Sequence, residues 1–128
     1  MTGVQTCALP ISTAPTTATE DTLYSYQVGV TDPDDANNGT DLTFSLTDAP
    51  AGMTVSTTGL IEWTPAEGVT TSGPVTVTVS DGGEDAAAAA TEIYTIAVTA
   101  VNDAPTITST APTTATEDTP YSDRKSVV

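Results

Sequence analysis

Val75-Thr76-Val77-Thr78-Val79-Ser80 and Tyr94-Thr95-Ile96-Ala97-Val98-Thr99-Ala100 decide the fold class. In both, apolar and small side chains alternate with period two, which puts one face of a β-strand in a core and the other in water. Tyr24, Tyr26, Val28 and Val30 alternate in the same way with Ser25, Gln27 and Gly29, as do Leu42, Phe44 and Leu46 with Thr43 and Ser45. Met53–Val55 and Leu60–Trp63 flank the turn Ser56–Gly59. Turn-forming residues punctuate the strands in TDPDDANNG, DAPAG, TPAEG, TSGP and SDGGED. Ala86–Ala90 is the one helix-prone run, and its length between two strands predicts a loop or a single turn. About seven short strands with no helical period read as an all-β fold, an antiparallel β-sandwich.

A repeat sets the domain organisation. Ser12–Ser25 reads STAPTTATEDTLYS and Ser109–Ser122 reads STAPTTATEDTPYS, differing only at Leu23 and Pro120. The spacing of 97 residues between the two copies is too long for a solenoid unit and matches a whole small domain. Residues 12–105 are therefore expected to form one repeat and residues 106–122 to open the next.

Composition excludes several functions. The net charge is −15, and both basic residues, Arg124 and Lys125, stand near the C-terminus. Binding nucleic acid or an anionic membrane surface needs a basic patch, so neither partner is expected. No apolar run approaches the length that spans a bilayer, so no direct membrane insertion is expected. From Ser12 to Ser122 there is no Lys, Arg, His or Cys, which removes the groups of triad, Schiff-base, thiol and zinc chemistry. What remains is the chemistry of carboxylates, amides and carbonyls, chiefly the holding of hard cations such as Ca2+.

The ends differ in composition from the rest. Met1–Ile11 (MTGVQTCALPI) and Asp123–Val128 (DRKSVV) resemble translated sequencing adapters. Both segments, residues 1–11 and 123–128, are expected to be disordered tails that add no core contacts.

Carboxylates cluster where a sandwich has its poles: Glu20-Asp21, Asp32-Pro33-Asp34-Asp35, Asp81 in SDGG, and Asn102-Asp103. Loops at one pole bring sequence-distant residues together, and Ca2+ takes six to eight oxygens. Plain solubilising charge accounts for Glu84, Asp85 and Glu92. It accounts less well for the crowded DPDD run, where carboxylates repel unless a cation intervenes. Trp63 reads as a core anchor, with a sugar-stacking platform as the sharper alternative.

These residues carry a family resemblance. VGVTDPDDANNGTDLTFSL resembles the cadherin segment in which a strand runs into D-x-D, then N-G, then a second strand. PAGMTVSTTGLIEWTPAEG resembles the hairpin of dystroglycan-type cadherin-like and bacterial Ig-like repeats. VTVTVSDGG and AVTAVNDAP are similar to the Asp-Gly strand end and the inter-repeat linker of cadherins. The resemblance implies an Ig-like/cadherin-like Greek-key sandwich with calcium at domain junctions. By it, Asp32, Asp34, Asp81 and Asn38 would face the preceding repeat, and Glu20, Asn102 and Asp103 the following one. The chain departs from the cadherin pattern at Trp63-Thr64-Pro65-Ala66-Glu67, where an acidic L-D-R-E is expected; this leaves Glu67 outside the implied ligand set.

The reading is a non-enzymatic repeat module of a large bacterial surface or secreted adhesin, extracellular, with Ca2+ stiffening its junctions. Its partners would be neighbouring repeats of the same chain, with homophilic, cell-surface or glycan ligands beyond them. The alternative is a calcium-independent Ig-like spacer or carbohydrate-binding accessory domain of a secreted enzyme.

Overall fold

Alternating side chains stabilise a fold only when their strands find partners. The computed structural model describes residues 9–10, 12–32, 41–82 and 88–123. Among these, the strands are β1 (Leu9–Pro10), β2 (Thr17–Thr19), β3 (Tyr24–Gln27), β4 (Val30–Thr31), β5 (Thr43–Thr47), β6 (Thr54–Val55), β7 (Leu60–Trp63), β8 (Thr71–Ser80) and β9 (Ala90–Thr99), with no helix. One sheet has the order β2-β9-β8-β5, the other β3-β7-β6, and β1 pairs with β4. The chain crosses from β5 to the second sheet for β6 and β7, then returns for β8. This is the expected all-β sandwich.

The core lies between the sheets. Val75, Val77, Val79 and Ile96 from one sheet are fully buried, as is Ile61 from the other. Trp63, Tyr24, Tyr26, Val28 and Met53 complete it, and each such side chain contributes about 1.5–3 kcal/mol of transfer free energy. Register sets these contacts: β8 pairs with β9 through Val75↔Tyr94 and Val77↔Glu92, and β3 pairs with β7 through Tyr24↔Trp63 and Tyr26↔Ile61. The β6–β7 hairpin turns as its sequence requires. Ser56 Oγ accepts from the amides of Thr58 and Leu60, and Gly59, at φ +84°, donates to Ser56 O.

Four local expectations are corrected. TSGP is no turn: it lies inside β8, where the register with β9 shifts between Thr71 and Pro74. Gly73 sits at φ +67°, and the buried Ser72 hydroxyl accepts from Ile96 N at 2.9 Å, replacing the lost ladder bond. Pro74 is tolerated because β5 covers only Thr76–Ser80, so no partner on that side needs its missing N–H. The Tyr24–Val30 alternation is broken at Val28-Gly29 into β3 and β4. The sandwich also has one parallel pair, β2 with β9 (Thr17↔Ala97), because the opening strand joins the edge of the last one.

The fourth correction concerns Leu9–Pro10, inside a segment expected to be a disordered tail: these residues pair with Val30–Thr31. Met1–Val4 and the other residues of 1–8, Ile11, and Arg124–Val128 lie outside the described residues, as do Ala86 and Ala87. Phe44, on the apolar side of its alternating segment, is only half-buried. It stands on the edge strand β5, with its ring over Gly59.

Candidate functional site

Glu20 follows β2, and it is almost fully buried at 1% exposure. A buried carboxylate needs partners, and here they are backbone amides. Gly68 N donates to Oε1, and Val101 N donates to Oε2 at 2.9 Å. Glu20 N donates in turn to Thr99 O at 2.9 Å, and Asp21 N to Pro65 O at 2.9 Å. One residue therefore ties together the opening strand, the Pro65–Gly68 loop and the exit from β9. Both of its oxygens are engaged by amides, so the residue expected as a ligand toward the following repeat is placed as an internal clamp.

Beside the clamp, exposed Asp21, Glu67 and Asp103 bring carboxylate oxygens within 4.8 Å of one another. Asp21 gets there because the chain turns through φ 56° at that residue, a left-handed conformation that Asp tolerates. Glu67 gets there because its loop is held by the Val69 N to Ala66 O bond and by the Glu20 clamp. The Glu67 carboxyl is pushed up to about 7, first by sharing a hydrogen bond with Asp103, then by the charges of Glu20, Asp103 and Asp21. Among the described residues no basic side chain stands beside this trio, and its chemistry is that of anionic oxygens. The cadherin pattern had left Glu67 outside the ligand set. Its only sequence signal was its place between Pro65 and Gly68, a loop whose docking on Glu20 could not be read locally. Asn102 is exposed beside Asp103.

The opposite pole holds a second acidic group. Asp81 follows the end of β8 and is 4% exposed, and Asp32 follows β4. Asp41 also lies at this end, close to Gly82, and its Oδ1 is buried. Asp34 and Asn38 lie outside the described residues. The ten residues of β8 put Asp81 about 30 Å from the Asp103 end.

The opening segment has a second anchor at its start. Ser12 Oγ lies 2.7 Å from Tyr26 Oη and accepts from Gly29 N. The Tyr26 hydroxyl donates to Glu92 Oε2 at 3.0 Å, and Ala14 N donates to Glu92 Oε1 at 3.2 Å. Tyr94 packs edge-on against Tyr26 with ring centroids 6.1 Å apart. Burial pushes the phenols of Tyr24, Tyr26 and Tyr94 up, so the group stays neutral over the physiological range.

The second copy of the motif folds locally like the first. Tyr24 Oη donates to Pro15 O at 2.8 Å, and Tyr121 Oη donates to Pro112 O at 2.8 Å. Thr22 N donates to Thr19 O and Thr119 N to Thr116 O, both at 3.2 Å, while Asp118 has φ 60° against 56° at Asp21. The difference is the surroundings: Ser109–Ser122 is exposed along its whole length. A surface cavity of about 270 Å³ lies between β5 and the hairpin, against Phe44 and Val55, and its lining offers apolar groups and hydroxyls.

A similar sandwich occurs in a crystal structure described as a "putative alpha-galactosidase" from Bacteroides fragilis NCTC 9343. The match has a TM-score of 0.56 and 11% identity, over 77% of this chain and 19% of that one. The chain thus spans less than a fifth of that protein, and the likeness is one of fold. No curated protein matches the sequence. The family model described as "Putative Ig domain" (He_PIG) matches residues 6–99, which include Glu20 and Gly68, the hairpin and both long strands. The chain belongs to this family of Ig domains.

Proposed function

We propose that the chain is a non-enzymatic, extracellular structural repeat of a large bacterial surface or secreted adhesin, and that Ca2+ stiffens its junction with the following repeat. The observation that carries the reading is the convergence of Asp21, Glu67 and Asp103 at the pole where the chain leaves toward its second STAPTTATEDT motif. The donor set fits a hard cation: it is all oxygen and anionic. Three carboxylates supply up to six oxygens if each binds through both, with Asn102 adjacent. Bound there, the ion would offset the mutual repulsion that now lifts the Glu67 carboxyl. Chain oxygens on either side of it would then be held in fixed relation, which is what stiffens a junction. The opposite pole, with Asp32 and Asp81, would serve the preceding repeat in the same way.

Titration calorimetry with CaCl2 tests this on a protein of two intact repeats, alongside its Glu67→Gln variant. Binding at or tighter than ~10⁻⁴–10⁻³ M, weakened at least several-fold by Glu67→Gln, is the expected result. Equal binding by both proteins, or none, sinks it.

A second reading is a calcium-independent spacer or carbohydrate-binding accessory domain of a secreted enzyme. It is favoured by the similar sandwich that makes up 19% of the chain described as an alpha-galactosidase. Absence of calcium binding together with retention on a glycan column would support it.

A further inference from the structure

The edges of the two main sheets are not alike. β2, β3 and β6 are edge strands of 3, 4 and 2 residues, whereas β5 (Thr43–Thr47) is the longest at 5. An edge strand presents unpaired N–H and C=O groups, which folded chains commonly guard with charge, Pro or a bulge. β5 carries none of these. Its sequence, TFSLT, is uncharged in a chain of net charge −15, and its register with β8 runs unbroken from Thr43↔Ser80 to Thr47↔Thr76. Among the described residues, β8 is its one strand partner. The inward side chains of β5 are also left partly bare. Phe44 and Leu46 are half-buried, and the cavity of about 270 Å³ opens beside Phe44, against Val55, Ser56 and Thr57.

The strand is its own complement. Antiparallel pairing about Ser45 sets Thr43 against Thr47, Phe44 against Leu46, and Ser45 against itself. Only this register pairs all of Thr43–Thr47 and keeps the apolar side chains of both copies on one side. A slip of one residue would carry one copy's Phe44 to the hydroxyl face of the other. We propose that β5 pairs with β5 of a second copy of this chain about a two-fold axis at Ser45, joining their four-stranded sheets into one continuous sheet. Hydroxyls then meet hydroxyls on the outer face, and Leu46 of the other copy covers Phe44 at the mouth of the cavity. The occupant is a second copy because β5 matches itself in side-chain size, in facing and in lack of charge. The pairing depends neither on calcium nor on the adhesin reading.

Two features set its strength. A pair of such short strands is smaller than the ~1,200–2,000 Å² of a standard stable interface, so the association should be weak and visible only at high protein concentration. Asp41 and Asp48 flank β5 and come near their counterparts at the two ends of the pair, and both copies are acidic throughout. Salt screens that repulsion, so the dimer should tighten between ~0.15 M and ~1 M NaCl.

Sedimentation equilibrium of the full chain should show a monomer–dimer equilibrium with that salt dependence. Ser45→Asp, which sets two carboxylates against each other at the axis, should weaken it at least about ten-fold, whereas Thr110→Asp, the same charge on an exposed residue away from β5, should not. A chain that stays monomeric at high concentration and high salt, or equal weakening by the two variants, overturns the proposal. Cysteine trapping in a Cys7→Ser background reads the register. Ser45→Cys should oxidise to a disulfide-linked dimer. Thr43→Cys and Thr47→Cys should each stay monomeric alone and cross-link when mixed, because each faces the other across the axis. Cross-linking of Thr43→Cys with itself as strong as in the mixture, or a Ser45→Cys yield no greater than that of Thr110→Cys, overturns the proposal.

Discussion

Replacing Glu20 with Gln tests the clamp, because the chain carries its own control 97 residues later. Glu20 accepts from two amides while 1% exposed, and Glu117 stands in the same local sequence and turn but in water. A hydrogen bond to a charged acceptor is worth about 1.5–3 kcal/mol net, so the two together stabilise by roughly 3–6 kcal/mol. Two effects reduce what the substitution removes. Burying the carboxylate without a cation costs part of that sum, and the freed amides of Gly68 and Val101 belong to exposed residues that water can reach. A loss of about 2–3 kcal/mol remains. Gln should rescue little of it: one amide oxygen still accepts, but its NH2 is turned against an N–H donor. Glu117→Gln should stay within about 0.5 kcal/mol of wild type, as exposed substitutions do. Urea denaturation at low micromolar protein reads both. With a slope of ~1–2 kcal/mol/M, the midpoint should fall by about 1–3 M for Glu20→Gln and stay put for Glu117→Gln. Equal shifts for the two variants, or a shift under about 0.3 M for Glu20→Gln, would refute the clamp.

Three further outcomes are expected. Trp63 is 2% exposed and donates to Ala51 O at 3.3 Å, so Trp63→Ala should cost about 3–5 kcal/mol, seen as partial or complete loss of the cooperative thermal transition; unchanged stability would show that the indole is dispensable and reopen the sugar-platform alternative. Gly59 holds φ +84°, and an added Cβ would lie 2.7 Å from Phe44 Cε1, so Gly59→Ala should cost about 1–3 kcal/mol, of which only the backbone share, about 1 kcal/mol, should persist in a Phe44→Ala background by double-mutant denaturation. The Glu67 carboxyl is raised to about 7 from 4.5, so its contribution to stability is present below about pH 4.5 and lost as pH rises through about 7. At low salt without calcium, Tm should therefore fall between pH 5 and 8, and Glu67→Gln should flatten that fall; a slope identical in the two proteins would show that the trio is not the cause.

Much of the fold was legible because it is local. Period-two alternation in β8 and β9 needs no partner to be read, and Ser56–Gly59 turns through its own hydroxyl and glycine. The breaks in that legibility have causes outside the segment concerned. TSGP carries every sign of a turn, yet the strand continues through it with a shift of register, because Ser72 bonds to Ile96 across the sheet. Phe44 has the period of a core residue but stands on an edge strand, where the facing sheet supplies only the hairpin.

The sequence alone determined the β class, the hairpin, the near-identical second motif and the lack of Lys, Arg, His and Cys across Ser12–Ser122, since all of these follow from residue identity and short-range spacing. It also marked the exit of β9 as acidic. Only the tertiary structure decided which acid does what. Glu20 and Asp21 are neighbours of the same charge, and in the chain nothing separates them. Folding turns one carboxylate inward onto the amides of Gly68 and Val101 and the other outward toward Glu67 and Asp103. That division depends on segments 46 to 82 residues away, and on a parallel pairing of β2 with β9 that no local pattern encodes. A carboxylate's role is set by the donors and charges that surround it, and those arrive only when distant parts of the chain meet.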